Sequence, residues 1–257
     1  NTWFKTSFSY FGLHSIISKA DQNNGELGWQ LGFTHDNGGS LLFVANNSNS
    51  SEGIYLYAGE NNNLSDNNWH YISLSVEQGI NGSINLFIDG ELVNSWSGDL
   101  SLNTYNGNSF LFGVDRSQTN YFNGFIDEVS IWNIALNQQE IQSNMNQELI
   151  GNEEALLGYW NFNEIQNSTA RDITGNGYDG TVYGAEISVD APPIGPPPAI
   201  YGCNDPYAEN YDLYANTNDG TCEYSQEPVT FTKEDYADAS LEENQDRITA
   251  SVWITRG

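Results

Sequence analysis

Residues 69–96, WHYISLSVEQGINGSINLFIDGELVNSW, decide the fold of this chain. In residues 69–76 polar and apolar side chains alternate over most of the segment, which is typical of a strand with one buried face. Residues 84–88 form a second such run, and the Asp-Gly pair at 89–90 is typical of a two-residue hairpin turn. After this turn, residues 91–96 form a strand that runs antiparallel to residues 84–88. The stretch therefore predicts three successive antiparallel strands.

The same pattern recurs along the chain. Short strands at this spacing favour an all-β antiparallel β-sandwich over a parallel α/β sheet. One short helix is predicted where Asn137 can cap the chain, Glu140 follows three residues later, and Ile141 and Met145 lie four apart. The other predicted strands are 3–8, 15–19, 29–34, 41–45, 54–57, 110–114, 125–132, 156–162 and 182–187.

Composition restricts the partners of the protein. Seven Lys and Arg stand against 34 Asp and Glu among 257 residues, a formal net charge of −27. Such a charge repels phosphate backbones and anionic lipid surfaces, so nucleic acid is excluded as a partner class. No stretch reaches the length of a membrane-spanning helix, so no membrane insertion is expected. Cations, above all calcium, and neutral polar ligands such as glycans stay compatible with the charge.

Beyond residue 190 the chain changes character. Residues 191–200 contain five prolines and are predicted to form a stiff linker between a domain at 1–190 and a small unit at 201–224. That unit holds both cysteines, Cys203 and Cys222. Their close spacing favours a local disulfide and an oxidising compartment, hence a secreted or cell-surface protein. Residues 225–257 are expected to be the start of a further module.

Four segments carry a family resemblance: NWHYISLSVE at 68–77, INLFIDGELV at 84–93, FNGFIDEVSIWNIALNQQEI at 122–141 and LLGYWNFNE at 156–164. Together they resemble the laminin-G-like group of the concanavalin-A-like lectin/glucanase superfamily, over about residues 1–190. The resemblance implies a jelly-roll sandwich. The family has a strand before the segment matching residues 3–8, so a truncated or processed chain is expected here, ahead of a strand supplied by a partner. The unit at 201–224 resembles a short cysteine-paired repeat of secreted surface proteins.

The resemblance also implies a structural calcium ion. In related laminarinase-type sandwiches an aspartate at the position of Asp127 binds calcium, and the segments containing Glu164, Asp172 and Asn176 lie beside that strand. Calcium needs six to eight oxygen ligands, which these side chains and nearby carbonyls could supply. The alternative is that Asp172 and Asn176 build turns and that Glu164 is solvated.

A second calcium site is considered in the cysteine-containing unit, which is rich in oxygen-bearing side chains. The acidic spacing does not fit an EF-hand, so the alternative is a turn closed by the disulfide. The candidate ligands of this second site are Asp212, Asn216, Asn218 and Asp219.

Glycan contact requires aromatic rings near turns with polar side chains close by. The candidates are Trp96, Tyr105, Asp115, Asn120 and Tyr121. Catalysis has no support, because the alternating carboxylates of the related glucanases are missing and adjacent strand carboxylates point to opposite faces. The expected function is a non-catalytic carbohydrate-binding or cell-adhesion module that contacts glycans or surface glycoproteins. The alternatives are a subunit of an extracellular filament, contacting copies of itself, and a targeting module of a secreted polysaccharide-degrading enzyme.

Overall fold

The computed structural model describes residues 1–7, 12–20, 28–34, 40–47, 53–58, 64–102, 109–115, 117–163 and 165–224. It confirms the predicted antiparallel sandwich. Two five-stranded sheets face each other, and every pair within them is antiparallel. In spatial order the first sheet contains β10 (Phe125–Asp127), β1 (Thr2–Lys5), β6 (Trp69–Glu77), β7 (Gly79–Ile88) and β8 (Glu91–Leu100). The second contains β5 (Gly53–Ala58), β4 (Ser40–Asn46), β3 (Gly28–Thr34), β2 (His14–Ala20) and β9 (Leu111–Phe112).

Shorter pairs complete the described fold. In the sandwich, β11 (Val129–Trp132) pairs with β12 (Leu156–Trp160). A small meander follows, made of β13 (Ile165–Gln166), β14 (Thr169–Ala170) and β15 (Gly180–Thr181). In the cysteine-containing unit, β16 (Tyr201–Gly202) and β17 (Thr217–Asn218) lie parallel.

The predicted hairpin between β7 and β8 is present, and its turn is tied to the neighbouring strand. Asp89 and Gly90 both have positive φ, 51° and 79°, as a tight two-residue hairpin turn requires. The Asp89 carboxylate accepts from the Tyr71 backbone N–H at 2.8 Å and bonds the His70 ring at 2.9 Å. Asp66 contacts the other nitrogen of His70. His70 and the backbone of Tyr71 therefore anchor the turn of the next hairpin.

Two apolar layers stabilise the sandwich. The main core lies between the sheets, where Phe4, Phe33 and Phe43 are fully buried. A second layer forms on the outer face of the first sheet, where α1 (Gln138–Asn144) packs Ile141 against Tyr71. The predicted capping box of this helix is present. Burying a large apolar side chain contributes about 1.5–3 kcal/mol, so these layers supply most of the stability.

Two predicted strands differ from the structure. The continuous strand expected at 125–132 is broken at Glu128, whose φ of 54° lies in the left-handed region, so it becomes β10 and β11. No strand occupies 182–187. There Gly184 has a φ of 75° and the chain runs over the surface, with Tyr183 and Ile187 exposed. Alternation of apolar residues in that segment therefore did not reflect a buried face.

The proline-rich segment packs against the sandwich. Asp190, at its start, accepts from Lys5 Nζ at 2.7 Å and from Trp69 Nε1 at 2.9 Å. Gly195 exchanges backbone hydrogen bonds with the turn after α1, donating to the Asn146 carbonyl and accepting from the Glu148 N–H, both at 3.0 Å. Ile194 packs into the outer apolar layer. These contacts hold the segment along the domain instead of leaving it as a free tether.

The predicted disulfide is confirmed in the unit that follows. Cys203 and Cys222 are bonded, with their Cα atoms 4.8 Å apart. Closing a loop of this length stabilises the unit by about 3 kcal/mol in the chain-entropy account. Tyr214 donates its hydroxyl to the Thr174 carbonyl of the sandwich at 3.2 Å. The unit therefore touches the domain through this contact as well as through the segment that joins them.

Candidate functional site

The break at Glu128 creates an acidic cluster at the junction of β10 and β11. Glu128 is buried and accepts a hydrogen bond from the Tyr159 hydroxyl of β12. The Tyr159 oxygen in turn accepts from the Leu149 backbone N–H at 3.3 Å. Asp127 lies beside Glu128 and accepts from its backbone N–H at 2.9 Å. Glu148 is close enough to repel both carboxylates electrostatically.

The electrostatics of this cluster favour uncharged or cation-bound carboxyl groups. Burial is the main cause that raises the pKa of Asp127 to about 6 and that of Glu128 to about 8. The negative charge of Glu148 raises both further. Burial likewise raises the pKa of Glu148 above its usual range. Burial of Glu128, partial burial of Asp127 and Glu148, and their mutual repulsion thus raise the pKa values of all three carboxyl groups.

Asp172 has a different environment from Asp127. Its side chain is 2% exposed, and Oδ1 accepts from the backbone N–H groups of Tyr159 and Thr174 and from the Thr174 hydroxyl. Oδ2 accepts from the Tyr178 N–H at 3.1 Å. The Asn176 Nδ2 donates to the Leu157 carbonyl at 3.0 Å, so this side chain helps to hold the same turn. A carboxylate offers about four lone pairs, so Asp172 has little capacity left for a metal ion.

The structure therefore does not present the predicted calcium ligands as one coordination set. Asp127 belongs to the cluster with Glu128 and Glu148, whereas Asp172 and Asn176 close a turn after β14. Glu164 lies outside the described residues. Within the described ranges, no three His, Cys, Asp or Glu side chains are arranged to hold a metal ion. Any cation at Asp127 would need backbone carbonyl or amide oxygens in addition.

The second candidate set forms turns in the disulfide-closed unit. Asp212 accepts from the Tyr214 N–H, Asn218 from the Gly220 N–H, and Asp219 from the N–H and hydroxyl of Thr221. Asn216 accepts from the Ile200 N–H and donates to the Pro198 carbonyl. These four side chains thus each organise a separate piece of backbone. In the structure the unit is a disulfide-closed set of turns.

The loop that runs from 115 to 121, in which Asp115 and residues 117–121 are described, brings three of the predicted glycan contacts together. Asp115 is buried and accepts from the Ser117 hydroxyl, the Thr119 N–H, and the backbone and side-chain N–H groups of Asn120. Tyr121 follows at 64% exposure, and its carbonyl bonds the His14 ring at 2.8 Å. A rigid loop thus presents one exposed aromatic ring. Asp115 builds that loop and is itself inaccessible.

The remaining predicted contacts are not part of this loop. Trp96 lies on β8, partly buried, with its ring over Gly98 and against the main core. The strand β8 contacts β5 at one edge of the sandwich, whereas the loop at 115–121 follows β9 at the other edge. Trp96 and Tyr121 are thus separated by the width of the sheets. Tyr105 lies outside the described residues.

Sequence reasoning missed Glu128, Glu148 and Tyr159 as members of a cluster. Glu148 is 20 residues from Glu128, and Tyr159 is a further 11 along the chain, so no local pattern links them. The adjacent pair Asp127-Glu128 was the available signal. Strand alternation assigned the two side chains to opposite faces, and the left-handed backbone at Glu128 removes that alternation.

Comparison with known families agrees with this architecture. A laminin-G family model, described as the concanavalin A-like lectin/glucanases superfamily, matches residues 1–142. The chain belongs to the concanavalin A-like lectin/glucanase superfamily. The match covers both large sheets and most of α1 of this concanavalin A-like domain. Curated protein sequences give no match.

Solved structures resemble the concanavalin A-like domain in fold. A candidate carbohydrate-binding protein from Bacteroides ovatus has a TM-score of 0.53 at 18% identity, over 74% of this chain and 54% of that protein. The chain thus spans about half the length of that protein. The CBM40 domain of a Ruminococcus gnavus IT-sialidase has a TM-score of 0.43 at 13% identity. The match covers 55% of this chain and 78% of that domain's chain. The binding domain of Paraclostridial Mosquitocidal Protein 1 has a TM-score of 0.40 at 19% identity. The match covers 55% of this chain and 35% of that protein.

None of the helices in the described residues is long and apolar enough to span a membrane.

Proposed function

We propose that this chain is a non-catalytic, calcium-stabilised carbohydrate-binding module of a secreted or cell-surface protein. The observation that carries the proposal is the exposed ring of Tyr121 on the loop at 115–121, in a chain of the concanavalin A-like superfamily. Sugar rings stack their C–H faces on such aromatic side chains. The name of the Bacteroides ovatus protein and the disulfide, which is typical of oxidising compartments, both support the proposal.

The charge of the chain selects among glycans. A net charge of −27 repels sulfated and carboxylated sugars, so the ligand is a neutral glycan. The ring of Tyr121 supplies the stacking surface, and the hydrogen bond between the His14 ring and the Tyr121 carbonyl helps to hold the loop that carries it. Asp115 acts as a positioning residue, because its four hydrogen bonds fix the backbone that carries Tyr121.

The buried carboxyl groups do not support sugar hydrolysis. Glycoside hydrolases place two carboxyl groups about 5–10 Å apart on either side of a bound sugar. Glu128 is buried and bonded to Tyr159, so a polysaccharide cannot reach it. The buried, hydrogen-bonded Glu128 therefore does not serve as one of two sugar-facing carboxyl groups.

Truncation of Tyr121 tests the glycan site. In Tyr121→Ala, we expect binding to neutral glycans on an array to fall by roughly 5- to 150-fold, taking as the scale the 1–3 kcal/mol that stacking of a nucleic-acid base on one aromatic ring contributes. Tyr55→Ala is the matched control, because that ring is 59% exposed on β5 at the far edge of the sandwich. Equal binding by the wild type and Tyr121→Ala would place the glycan elsewhere. Absence of binding by folded wild type to any neutral glycan would argue for an adhesive or structural role.

The calcium proposal centres on Asp127 and Glu148. Asp127 is partly buried, and within the described residues its carboxylate accepts one hydrogen bond, from the Glu128 N–H, so most of its lone pairs stay available. Glu148 is the second carboxylate within electrostatic reach. We place no ligand role on Asp172, whose lone pairs are engaged by donors of the protein. A bound calcium ion would neutralise the repulsion in the cluster and join the β10–β11 junction to the segment after α1.

Calcium removal tests this site. At a calcium concentration about 100-fold above Kd, binding would stabilise the fold by about 2.7 kcal/mol and raise the Tm by about 5–10 °C relative to chelator. We expect Asp127→Asn to lose that increment and Asp219→Asn, an exposed carboxylate in the disulfide-closed unit, to keep it. The proposal would be contradicted if chelator left the wild-type Tm unchanged, or if calcium raised the Tm of Asp127→Asn as much as that of the wild type.

A further inference from the structure

One histidine of the sandwich is held between two carboxylates. His70 lies near the start of β6, opposite Phe4 of β1. Its Nδ1 lies 2.9 Å from a carboxylate oxygen of Asp89, and its Nε2 lies 3.3 Å from a carboxylate oxygen of Asp66. The His70 side chain is 16% exposed, whereas those of Asp66 and Asp89 are 34% and 46% exposed. Two acidic side chains thus cover both polar ends of a largely buried ring.

This arrangement requires a proton on each nitrogen of the His70 ring. An ionised carboxylate only accepts hydrogen bonds, and a neutral imidazole has one N–H donor and one acceptor nitrogen. The neutral ring can therefore bond one of the two carboxylates, and it turns a lone pair toward the other. The imidazolium ion donates to both. Loss of the proton must therefore break one of the two contacts.

The contact with Asp66 is the one that a neutral ring gives up. It is the longer of the two, 3.3 Å against 2.9 Å. Asp89 stays beside the ring, because its carboxylate also accepts from the Tyr71 N–H and its own N–H donates to the Tyr71 carbonyl. Asp66 accepts two hydrogen bonds from Asn68 and keeps these partners without His70. The last proton of the ring therefore belongs on Nδ1, facing Asp89.

Other charged or titratable groups on the elements around His70 have partners of their own. Lys5, on β1, forms an ion pair with Asp190. Glu91, which follows the hairpin turn, accepts from two glutamine side chains of α1. His14, on the opposite sheet, bonds a backbone carbonyl. The two carboxylates at its ring nitrogens are thus the charges that set the ionisation of His70.

We propose that His70 is a pH-sensitive clamp: its charged ring ties residues 64–68 to the turn of the β7–β8 hairpin, and loss of its proton releases the Asp66 arm while the Asp89 arm holds. Residues 64–68 are also held by the buried Leu64 and by the hydrogen bond from the Asn67 N–H to the Thr6 carbonyl. Release of one arm therefore loosens this segment without unfolding the domain. The inference is independent of the glycan and calcium sites.

The direction of the pH dependence follows from the two carboxylates. The hydrogen bond to Asp89 is the main cause that raises the pKa of His70 above its usual value, burial acts the other way, and Asp66 raises it further. A histidine whose pKa is raised by folding stabilises the folded state fully below its unfolded pKa of about 6.5. That stabilisation is lost as the pH rises through the raised pKa. The clamp is thus closed in mildly acidic solution and opens toward alkaline pH.

Titration of the intact chain, followed by NMR of the His70 ring, tests the clamp. In the wild type we expect a pKa above that of free histidine and, at higher pH, a neutral ring protonated at Nδ1, which the ring nitrogen shifts report. Asp66→Asn should lower the pKa of His70, because its amide carries no charge and can donate to the neutral ring. Asp219→Asn is the matched control, since it removes the same charge from an exposed carboxylate of the disulfide-closed unit. It should leave the pKa of His70 unchanged.

Amide hydrogen exchange locates the released segment. As the pH rises through the pKa of His70, we expect protection of the Asn67 amide, relative to its intrinsic exchange at each pH, to fall roughly two- to fivefold, the scale of one exposed ion pair. The Asp89 amide, bonded to the Tyr71 carbonyl, should keep its protection. In Asp66→Asn, Asn67 protection should not change with pH. A His70 pKa at or below the free value, a neutral ring protonated at Nε2, or a wild-type response in Asp66→Asn would each overturn the proposal.

Discussion

Asp172→Ala is expected to lower the free energy of unfolding by about 3–5 kcal/mol, because it leaves several buried donors without partners. The Asp172 carboxylate accepts from three backbone N–H groups and one hydroxyl. The Tyr159 N–H belongs to β12 and is buried, so water cannot replace the lost acceptor. Urea unfolding followed by tryptophan fluorescence, with and without calcium, measures the loss. We expect the same loss in both conditions, since Asp172 is a structural residue.

Asp219→Ala is a close control for this experiment. Asp219 makes the same local contacts, accepting from the N–H and hydroxyl of the threonine two residues later, as Asp172 does from Thr174. It is exposed, and water can satisfy the donors that it leaves. We expect its removal to cost less than about 1 kcal/mol. If the two variants were equally stable, the burial argument would fail. A loss for Asp172→Ala that appeared only with calcium would make Asp172 a metal ligand after all.

Phe4→Ala is expected to destabilise the domain by about 3–5 kcal/mol, as large-to-small substitutions in a rigid core do. Phe4 is fully buried on β1 between the two sheets. Its ring meets the edge of Phe33 on the opposite sheet at 5.3 Å between centroids and lies 5.8 Å from the His70 ring. Removal leaves a cavity at the point where the sheets touch. Denaturant unfolding of the intact chain gives the change directly.

Phe125→Ala is the control for Phe4→Ala. Phe125 lies on β10, the strand next to β1, where it pairs with Lys5. Its side chain is 37% exposed and lies against Trp69 on the outer side of the sheet. We expect a loss of about 1 kcal/mol for this variant. A loss as large as that of Phe4→Ala would mean that the outer layer, rather than the inter-sheet core, dominates stability.

The scaffold of the domain and the loop at 115–121 have different roles. The inter-sheet core and the Asp172 turn fix the scaffold, and the loop at 115–121 rests on its β2–β9 edge. The hydrogen bond from Ser18 to the Val114 carbonyl and that between His14 and the Tyr121 carbonyl hold this loop to β2. A loop fixed in this way loses little conformational freedom when a ligand binds, which favours affinity.

The sequence was sufficient to predict features that depend on local pattern. Alternation at 69–76 gave β6, the Asp-Gly pair gave the β7–β8 turn, and Asn137 with Glu140 gave the capped helix α1. The close spacing of Cys203 and Cys222 predicted the disulfide between them. In each case the residues that cause the structure lie within about 20 positions of one another, so neighbours along the chain carry the information.

The tertiary structure alone decided which polar side chains meet. Asp127 and Asp172 were predicted to share one calcium ion, yet Asp127 is a partly buried carboxylate near Glu148, whereas Asp172 accepts hydrogen bonds from the donors of a turn. The sheet order placed Trp96 and Tyr121 at opposite edges, although both lie near turns in the sequence. Contacts between distant residues depend on register and backbone breaks, such as the left-handed Glu128, which periodicity does not encode. The sequence by itself determined the strands, the turn chemistry and the excess of negative charge, while long-range packing determined the sites.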